Sequence, residues 1–534
     1  TQIVEVVNTR IAVFNKAGTA LYGPASTNSL WSGFGGLCQT TNDGDATVQW
    51  DRMANRWVVS QFAVSGADGG ATKYLQCVAV SQTTDATGAW YRYSFPYDYF
   101  NDYPKLAVWP DAYYTTFNMF NGNSWYGPLV CAYDRVAMLA GSAATQQCFT
   151  MNWWYDSVLV AGVEGSTPPT AGTDAYATSI NNGTALSVWR IHLDWANPAN
   201  SVISKKSDVT VAAFDVPCGG ARSCISQPGT SDGLDTVYGR LMYRFVYRRL
   251  GGTESFLVSN SVNTSPTGVR WYELRPSGDG LTVYQQGTYA PDSTNRWMPS
   301  IAMDDAGDIA VAYNVASSSV YPGIRFAGRL FTDPLGTLRQ GEGTLIDGTG
   351  SQTGTSNRWG DYSAIVLDPS DGCTFWIANQ YIATTGSFGW KTRVGSFSFP
   401  ACTNGLTSPS VIISAPPSPT NASVLTYSVT FNRNVTGLTA SDFAVSGTAT
   451  GCTVDEPTGS GSSYTVTVSG CSDGTVVLTL AASTVQDGDS NPGPATAAVA
   501  ATVTVDHTVY LCASSTYSWV DSAGGTNLGL GDDQ

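Results

Sequence analysis

Apolar positions along this chain recur in short alternating runs separated by turn residues, and no segment carries a sustained helical period. One plan repeats. A strand runs into a turn that opens with Asp, then Gly or Asn, and a second apolar strand follows. Ala46-Thr-Val-Gln-Trp-Asp51 leads through Arg-Met-Ala-Asn into Arg56-Trp-Val-Val-Ser. Pro299-Ser-Ile-Ala-Met-Asp304 does the same into Ile309-Ala-Val-Ala-Tyr, and Asp361-Tyr-Ser-Ala-Ile-Val-Leu-Asp368 into Cys373-Thr-Phe-Trp. Each predicts a hairpin whose Asp carboxylate accepts backbone N–H groups two residues on. Tyr103-Pro-Lys-Leu-Ala-Val-Trp-Pro-Asp is a weaker copy. Further strand sets are expected over 3–14, 176–195 and 234–272. Together they give about seven units over residues 1–403, at the roughly 50-residue spacing of propeller blades. The Asp hairpins should join the inner two strands of their blades, and the Gly/Ser/Thr-rich stretches 140–172 and 331–356 should be loops on one face.

Near residue 403 the pattern changes. Residues 404–410 read as a linker, and from Val411 short Val/Thr strands alternate with turns: Leu425-Thr-Tyr-Ser-Val-Thr-Phe, Tyr464-Thr-Val-Thr-Val, Val476-Val-Leu-Thr-Leu. About 100 residues of this kind predict a β-sandwich over 411–506. Trp is absent from 411 to 505, so the antibody-type Cys–Trp–Cys pattern is missing. Residues 507–534 read as the start of a further β module or as a C-terminal extension, and the opening at Thr1 reads as a strand. The fold class expected is therefore all-β: a propeller of about seven blades, then an immunoglobulin-like sandwich.

Composition sharpens this picture. With 56 Gly, 27 Tyr, 16 Trp and only 13% charged residues, the chain favours strands and tight turns. A formal charge of -15 argues against a nucleic-acid partner, whose phosphates need clustered Lys and Arg. No apolar run is long enough to span a bilayer. The 11 cysteines lie apart without zinc-site spacing. They predict disulfides and a secreted or cell-surface location. Proximity in sequence suggests Cys38–Cys77, Cys131–Cys148, Cys218–Cys224, Cys373–Cys402 and Cys452–Cys471, leaving Cys512 over, although connectivity cannot be deduced from spacing alone.

Residues 411–506 resemble the bacterial Ig-like repeats of large surface proteins. The resemblance is carried by Pro419-Thr-Asn-Ala-Ser, Val429-Thr-Phe-Asn-Arg-Asn-Val-Thr-Gly-Leu-Thr-Ala-Ser-Asp-Phe and Val485-Gln-Asp-Gly-Asp-Ser-Asn-Pro. It implies a spacer that does no chemistry. Residues 1–403 resemble a group of uncharacterised secreted bacterial β-propeller proteins. Here the carriers are Thr41-Asn-Asp-Gly-Asp-Ala, Gln76-Cys-Val-Ala-Val-Ser-Gln-Thr, Asp194-Trp-Ala-Asn-Pro-Ala-Asn-Ser, Tyr284-Gln-Gln-Gly-Thr-Tyr-Ala-Pro-Asp and Arg358-Trp-Gly-Asp-Tyr-Ser. That resemblance implies a fold and a compartment, and no activity carries over with it. Asp304-Asp-Ala-Gly-Asp also faintly resembles the Asp-turn hairpins of sialidase-like propellers, without their full Ser-x-Asp-x-Gly-x-x-Trp box.

Candidate chemistry is sparse. The chain has two histidines. Of these only His192, with Asp194 on the same strand face, could serve a nucleophilic device, and a satisfied strand histidine is the plainer reading. Carboxylate chemistry needs no imidazole. In a propeller the innermost strands start at one mouth of the central channel, and the expected starts are polar and aromatic. They place Asp45, Asp102, Asp235, Arg296, Trp297, Arg358, Trp359 and Asp361 at a candidate ligand-binding mouth suited to a sugar or a cation. Strand-end capping is the plain alternative. Asp43 and Asp45 are short oxygen-ligand text for calcium, as is Asp487-Gly-Asp489-Ser-Asn491. Trp153-Trp154-Tyr155 and Tyr97-Asp-Tyr-Phe are either sugar platforms or core packing.

The function expected is a non-catalytic extracellular propeller for adhesion, ligand binding or surface assembly on an Ig-like spacer. The alternatives are a secreted carbohydrate-active hydrolase or lyase using mouth carboxylates, and a filament or surface-layer subunit assembling through strand edges. Partners would be a carbohydrate or a cell-surface ligand.

Overall fold

Strand follows strand in up-and-down hairpins almost without interruption through the first 397 residues, as the alternating pattern requires. The computed structural model describes residues 2–65, 73–354, 357–400, 402, 408–488 and 490–508. The chain divides into two compact units, Thr1–Thr407 and Ser408–Gln534.

In the first unit seven antiparallel meanders succeed one another. Their first strands are Gln2–Val7, Thr47–Asp51, Phe100–Val108, Leu159–Val163, Met242–Leu250, Asn295–Met303 and Ala364–Leu367. Five meanders have four strands, and the first and last have three. Each first strand lies beside the first strand of the next meander. Between Leu159–Val163 and Met242–Leu250 the approach is close enough for parallel pairing, Ala161 opposite Phe245. A small extra hairpin, Ser223–Gln227 with Thr230–Asp235, stands between the fourth and fifth meanders. The result is a β-propeller-like all-β fold with the first strands innermost.

Burial follows that radial order. Asn295–Met303 and Ile309–Ala316 are buried almost throughout, and read as continuous apolar strands rather than alternating ones. Peripheral strands such as Val202–Thr210 and Trp390–Phe397 are largely wet. Aromatic wedges fill the seams between meanders. Phe326 stacks on Phe397 at 3.9 Å, and Phe375 and Phe399 close around them. The first and last meanders also meet: Lys16 pairs with Asp368 at 2.6 Å and donates to Ser370 at 2.7 Å.

The three Asp-turn hairpins form as expected, each joining the first and second strands of its meander. Asp51 accepts from the Met53 and Ala54 N–H groups, Asp304 from Ala306 and Asp308, and Asp368 from Ser370. The stretches 140–172 and 331–356 are not wholly loops. Each contains the fourth strand of a meander, Gln146–Thr150 and Glu342–Ile346, and the former also holds the first strand Leu159–Val163. Gly, Ser and Thr are tolerated there because perimeter strands pack one face only. All five expected disulfides are present. Cys512 lies outside the described residues, as does most of the 404–410 linker.

In the second unit Val424–Phe431 pairs with Val411–Ser414 on one side and Ser463–Ser469 on the other. A second set pairs Gly474–Leu480 with Phe443–Ser446 and Val503–Val505. Val424–Phe431 alternates exposed and buried along its length, sending Leu425, Tyr427, Val429 and Phe431 into a core with Val476, Leu478 and Leu480. Asp487, read as oxygen-ligand text, pairs with Arg433 at 3.1 Å and accepts from Asn491. Asp489 lies outside the described residues. Among the described residues no helix is long and apolar enough to cross a membrane.

Candidate functional site

The entrances to the innermost strands share an unusual backbone feature. Asp45, Tyr103, Ser157, Val237 and Met298, each at or just before the first strand of a successive meander, have φ between 44° and 59°. None is glycine, and a β-branched or bulky residue in this region stores strain of about 1–3 kcal/mol. Two of the five, Tyr103 and Met298, fall at register shifts within their strands.

Lys105 sits at the centre of these entrances. It follows Tyr103-Pro104 on the Phe100–Val108 strand and is buried. Its Nζ lies 3.7 Å from the Tyr103 ring centroid and 3.1 Å from that of Tyr362, and donates to the Asp361 carbonyl at 3.0 Å. The two ring faces partly replace the water the ammonium has lost. Burial still pushes its pKa down to about 7, against the pull of Asp361 and Asp45. Around it stand half-buried acids. The Tyr362 hydroxyl donates to Asp45 Oδ2 at 2.7 Å. Burial raises the Asp45 carboxyl to about 6, the Tyr362 bond opposes this, and Asp102 and Asp361 add to the rise. Asp102 is raised too, by burial and then by Asp361, while Arg358 and Lys105 pull it back. Burial likewise raises Asp156, which faces Arg240, and the Arg240 guanidinium lies 4.9 Å from the Tyr103 ring.

A small cavity lies against Lys105. Gln49, Leu106, Val160, Tyr243 and Arg244 line its volume of about 10 Å³, room for roughly one water. A sugar cannot enter it.

Of the eight expected mouth residues, the fold brings four together: Asp45, Asp102, Asp361 and Arg358. The other four are placed as supports. Asp235 is buried, pairs with Arg222 at 2.6 Å and accepts from the Val237 N–H. Arg296 is fully buried between Asp292 and Glu342, at 2.9 and 2.7 Å. Trp297 and Trp359 pack on each other at 5.5 Å inside a core with Leu234 and Ile382. Asp43 accepts from the Val64 N–H at 2.8 Å. Among the described residues no group of three or more His, Cys, Asp or Glu side chains is placed to hold a metal ion. His192 pairs with Asp174 at 2.9 Å rather than with Asp194, whose carboxylate caps the 194–200 turn. Both sit on the exposed rim, away from the mouth acids.

Sequence reasoning missed Lys105, Asp156, Arg240 and Tyr362. Lys105 and Tyr362 lay one to three residues from acids already singled out, Asp102 and Asp361. Asp156 was hidden because its strand entrance fell in a stretch read as loop.

No family model matches the chain, and no curated protein matches it. Among solved structures, it is similar to a protein of unknown function from Dyadobacter fermentans, at TM-score 0.28 and 10% identity over 79% of this chain and 93% of that one. It is also similar to an exo-β-1,3-galactanase from Clostridium thermocellum, at TM-score 0.29 and 13% identity over 60% and 74%. A third is a subtype N11 neuraminidase-like protein of A/flat-faced bat/Peru/033/2010 (H18N11), at TM-score 0.26 and 10% identity over 70% and 87%. Likenesses at this level carry no argument about activity.

Proposed function

We propose that residues 1–407 form a seven-bladed propeller that binds a neutral, hydroxyl-rich ligand, a carbohydrate, at the Lys105 mouth. In this reading it is a secreted protein of the bacterial propeller group it resembles, and residues 408–508 are its Ig-like spacer. The observation that carries the binding reading is the balance of the mouth. Asp45, Asp102, Asp156 and Asp361, all half-buried, are set against Lys105, Arg240 and Arg358. Such a surface offers both donors and acceptors with little net charge, which suits hydroxyls better than a free anion or cation. Five disulfides support an oxidising compartment. The test is calorimetric titration with a panel of neutral mono- and oligosaccharides. Binding that Asp102→Asn and Asp361→Asn weaken about tenfold or more supports the reading. No binding to any member of the panel overturns it.

One observation favours a second reading, glycoside hydrolysis. Burial holds the Asp45 carboxyl up at about 6 beside the Asp102 and Asp361 carboxylates, and a raised carboxyl among other acids is what a glycosidase's proton donor requires. Release of reducing ends from a neutral polysaccharide, lost in Asp45→Asn, would establish it. Calcium at Asp43 and Asp45 stands as a further proposal. It requires both carboxylates to exchange the Val64 N–H and the Tyr362 hydroxyl for the ion, and a calcium-dependent rise in Tm is its test.

A further inference from the structure

The segment Met151–Val158 crosses the mouth face radially. It leaves the perimeter strand Gln146–Thr150 and ends at the innermost strand Leu159–Val163. Fully extended it spans at most roughly 25 Å. Its inner end carries Asp156, already part of the mouth through Arg240. Its middle carries Trp153 and Trp154, 66% and 62% exposed. Two indoles held in water on adjacent residues are an expensive surface, and a contiguous exposed apolar patch of this kind marks an interaction site.

This segment is held firmly beneath those indoles. The Met151 N–H donates to the Pro128 carbonyl at 3.0 Å, and the Trp125 indole donates to the Trp153 carbonyl at 2.5 Å. Gly127, at φ +113°, lets the Trp153 backbone pass so close that a Cβ there would stand 3.3 Å from its Cα. Further in, Tyr155 turns into the core, edge-on to Trp189 at 4.7 Å, with its hydroxyl accepting from Lys205 at 2.9 Å. Ser157 is fixed by Asn118, whose Oδ1 accepts its N–H at 2.9 Å. One strand over, Tyr126 is 49% exposed and packs on Tyr99 at 4.4 Å. The aromatic faces are therefore preorganised, and no charged side chain interrupts residues 151–155.

We infer that Trp153, Trp154 and Tyr126 form an aromatic track for a neutral polysaccharide, leading from the rim to the Lys105 mouth. The two indoles stand 6.3 Å apart at 68° to each other, so each can lay its face on a different sugar ring of a chain that bends between them, and the uncharged side chains of residues 151–155 favour a neutral polymer. This inference rests on the carbohydrate reading of the mouth and narrows it: the ligand is a polymer, and the mouth holds one sugar of a chain whose neighbours lie on the track.

The test is affinity electrophoresis of the full chain in gels containing soluble xylan, mixed-linkage β-glucan, galactomannan or arabinogalactan. Wild type, Trp153→Ala/Trp154→Ala, Trp153→Tyr/Trp154→Tyr and Asp102→Asn are compared, with melting curves to show that each variant is folded. The expected result is retardation of wild type by at least one polymer, weakened about tenfold or more in the double Ala variant and partly restored in the double Tyr variant. Binding lost in Asp102→Asn but intact in the double Ala variant overturns the track and leaves the mouth reading standing. Binding lost in the double Ala variant but intact in Asp102→Asn keeps the track and removes the mouth. No retardation of wild type overturns the track. So does a wild-type dimer that the double Ala variant dissolves, because the indoles would then face a second copy of the chain.

Discussion

Asp51 is fully buried, and what it touches makes its energetic role measurable. Arg135 reaches it from the third meander with two parallel bonds, Nε to Oδ2 at 2.7 Å and Nη2 to Oδ1 at 3.1 Å. The Tyr113 hydroxyl adds a third at 2.8 Å, and the Asp51 turn supplies two N–H donors. Arg135→Met keeps the packing of the stem and removes the countercharge. Leaving an ionised carboxylate buried and unpaired costs about 3–5 kcal/mol. Because three neutral donors remain on Asp51, the lower end, about 3 kcal/mol, is expected. Asp51→Asn alone strands the guanidinium instead and should cost about as much. The double variant removes both charges and should recover all but about 1 kcal/mol, giving a coupling energy of about 5 kcal/mol. Tryptophan fluorescence in urea is the assay. Of the 16 tryptophans only Trp519 lies beyond residue 407, so the signal reports almost entirely on the first unit. A loss below about 1 kcal/mol for Arg135→Met, or a double variant no better than the singles, would refute the claim that this pair clamps the second meander to the third.

Asp368 gives a pH dependence of known sign. Burial alone would raise its carboxyl, but the Lys16 ammonium, the Ser370 N–H and hydroxyl and the Trp376 indole together bring it down to about 2. Its contribution to stability is thus complete above about pH 4 and disappears as pH falls toward about 2. Asp368→Asn should flatten that limb by about 1–2 kcal/mol in urea unfolding, Lys16 being partly exposed; an unchanged limb would separate ring closure from this pair. Trp297→Ala should cost about 3–5 kcal/mol by opening a cavity against Trp359, and a loss of sugar binding without loss of stability would return Trp297 to the ligand surface. His192→Ala should leave binding and any glycosidase activity unchanged, since the imidazole is exposed and its partner is Asp174; a fall in either measured by calorimetry or reducing-end assay would contradict this.

The architecture was legible because it rests on local rules. Asp51, Asp304 and Asp368 announce hairpins through turn chemistry that operates within four residues, and the disulfides pair near neighbours in sequence. The mouth was legible only in part, for a physical reason. Acids at strand entrances can be listed from the text, but which of them face solvent depends on contacts between distant meanders. Asp45 meets Tyr362 across 317 residues, and Lys105 meets Asp361 across 256. Arg296 and Trp297 carry the same kind of text as Arg358 and Trp359. Glu342, supplied by a perimeter strand hidden in a Gly-rich stretch, turns Arg296 inward, and that pairing leaves no trace near residue 296.

The disulfides carry a consequence for how the protein is made. Each joins cysteines no more than 39 residues apart, and the shortest span is 6. A chain emerging from its N-terminus into an oxidising space can therefore seal each bridge within moments of its second cysteine appearing, before any later cysteine competes for it. Threaded in this way, the chain would need no reshuffling of wrongly paired thiols, because every bridge joins cysteines consecutive in the sequence.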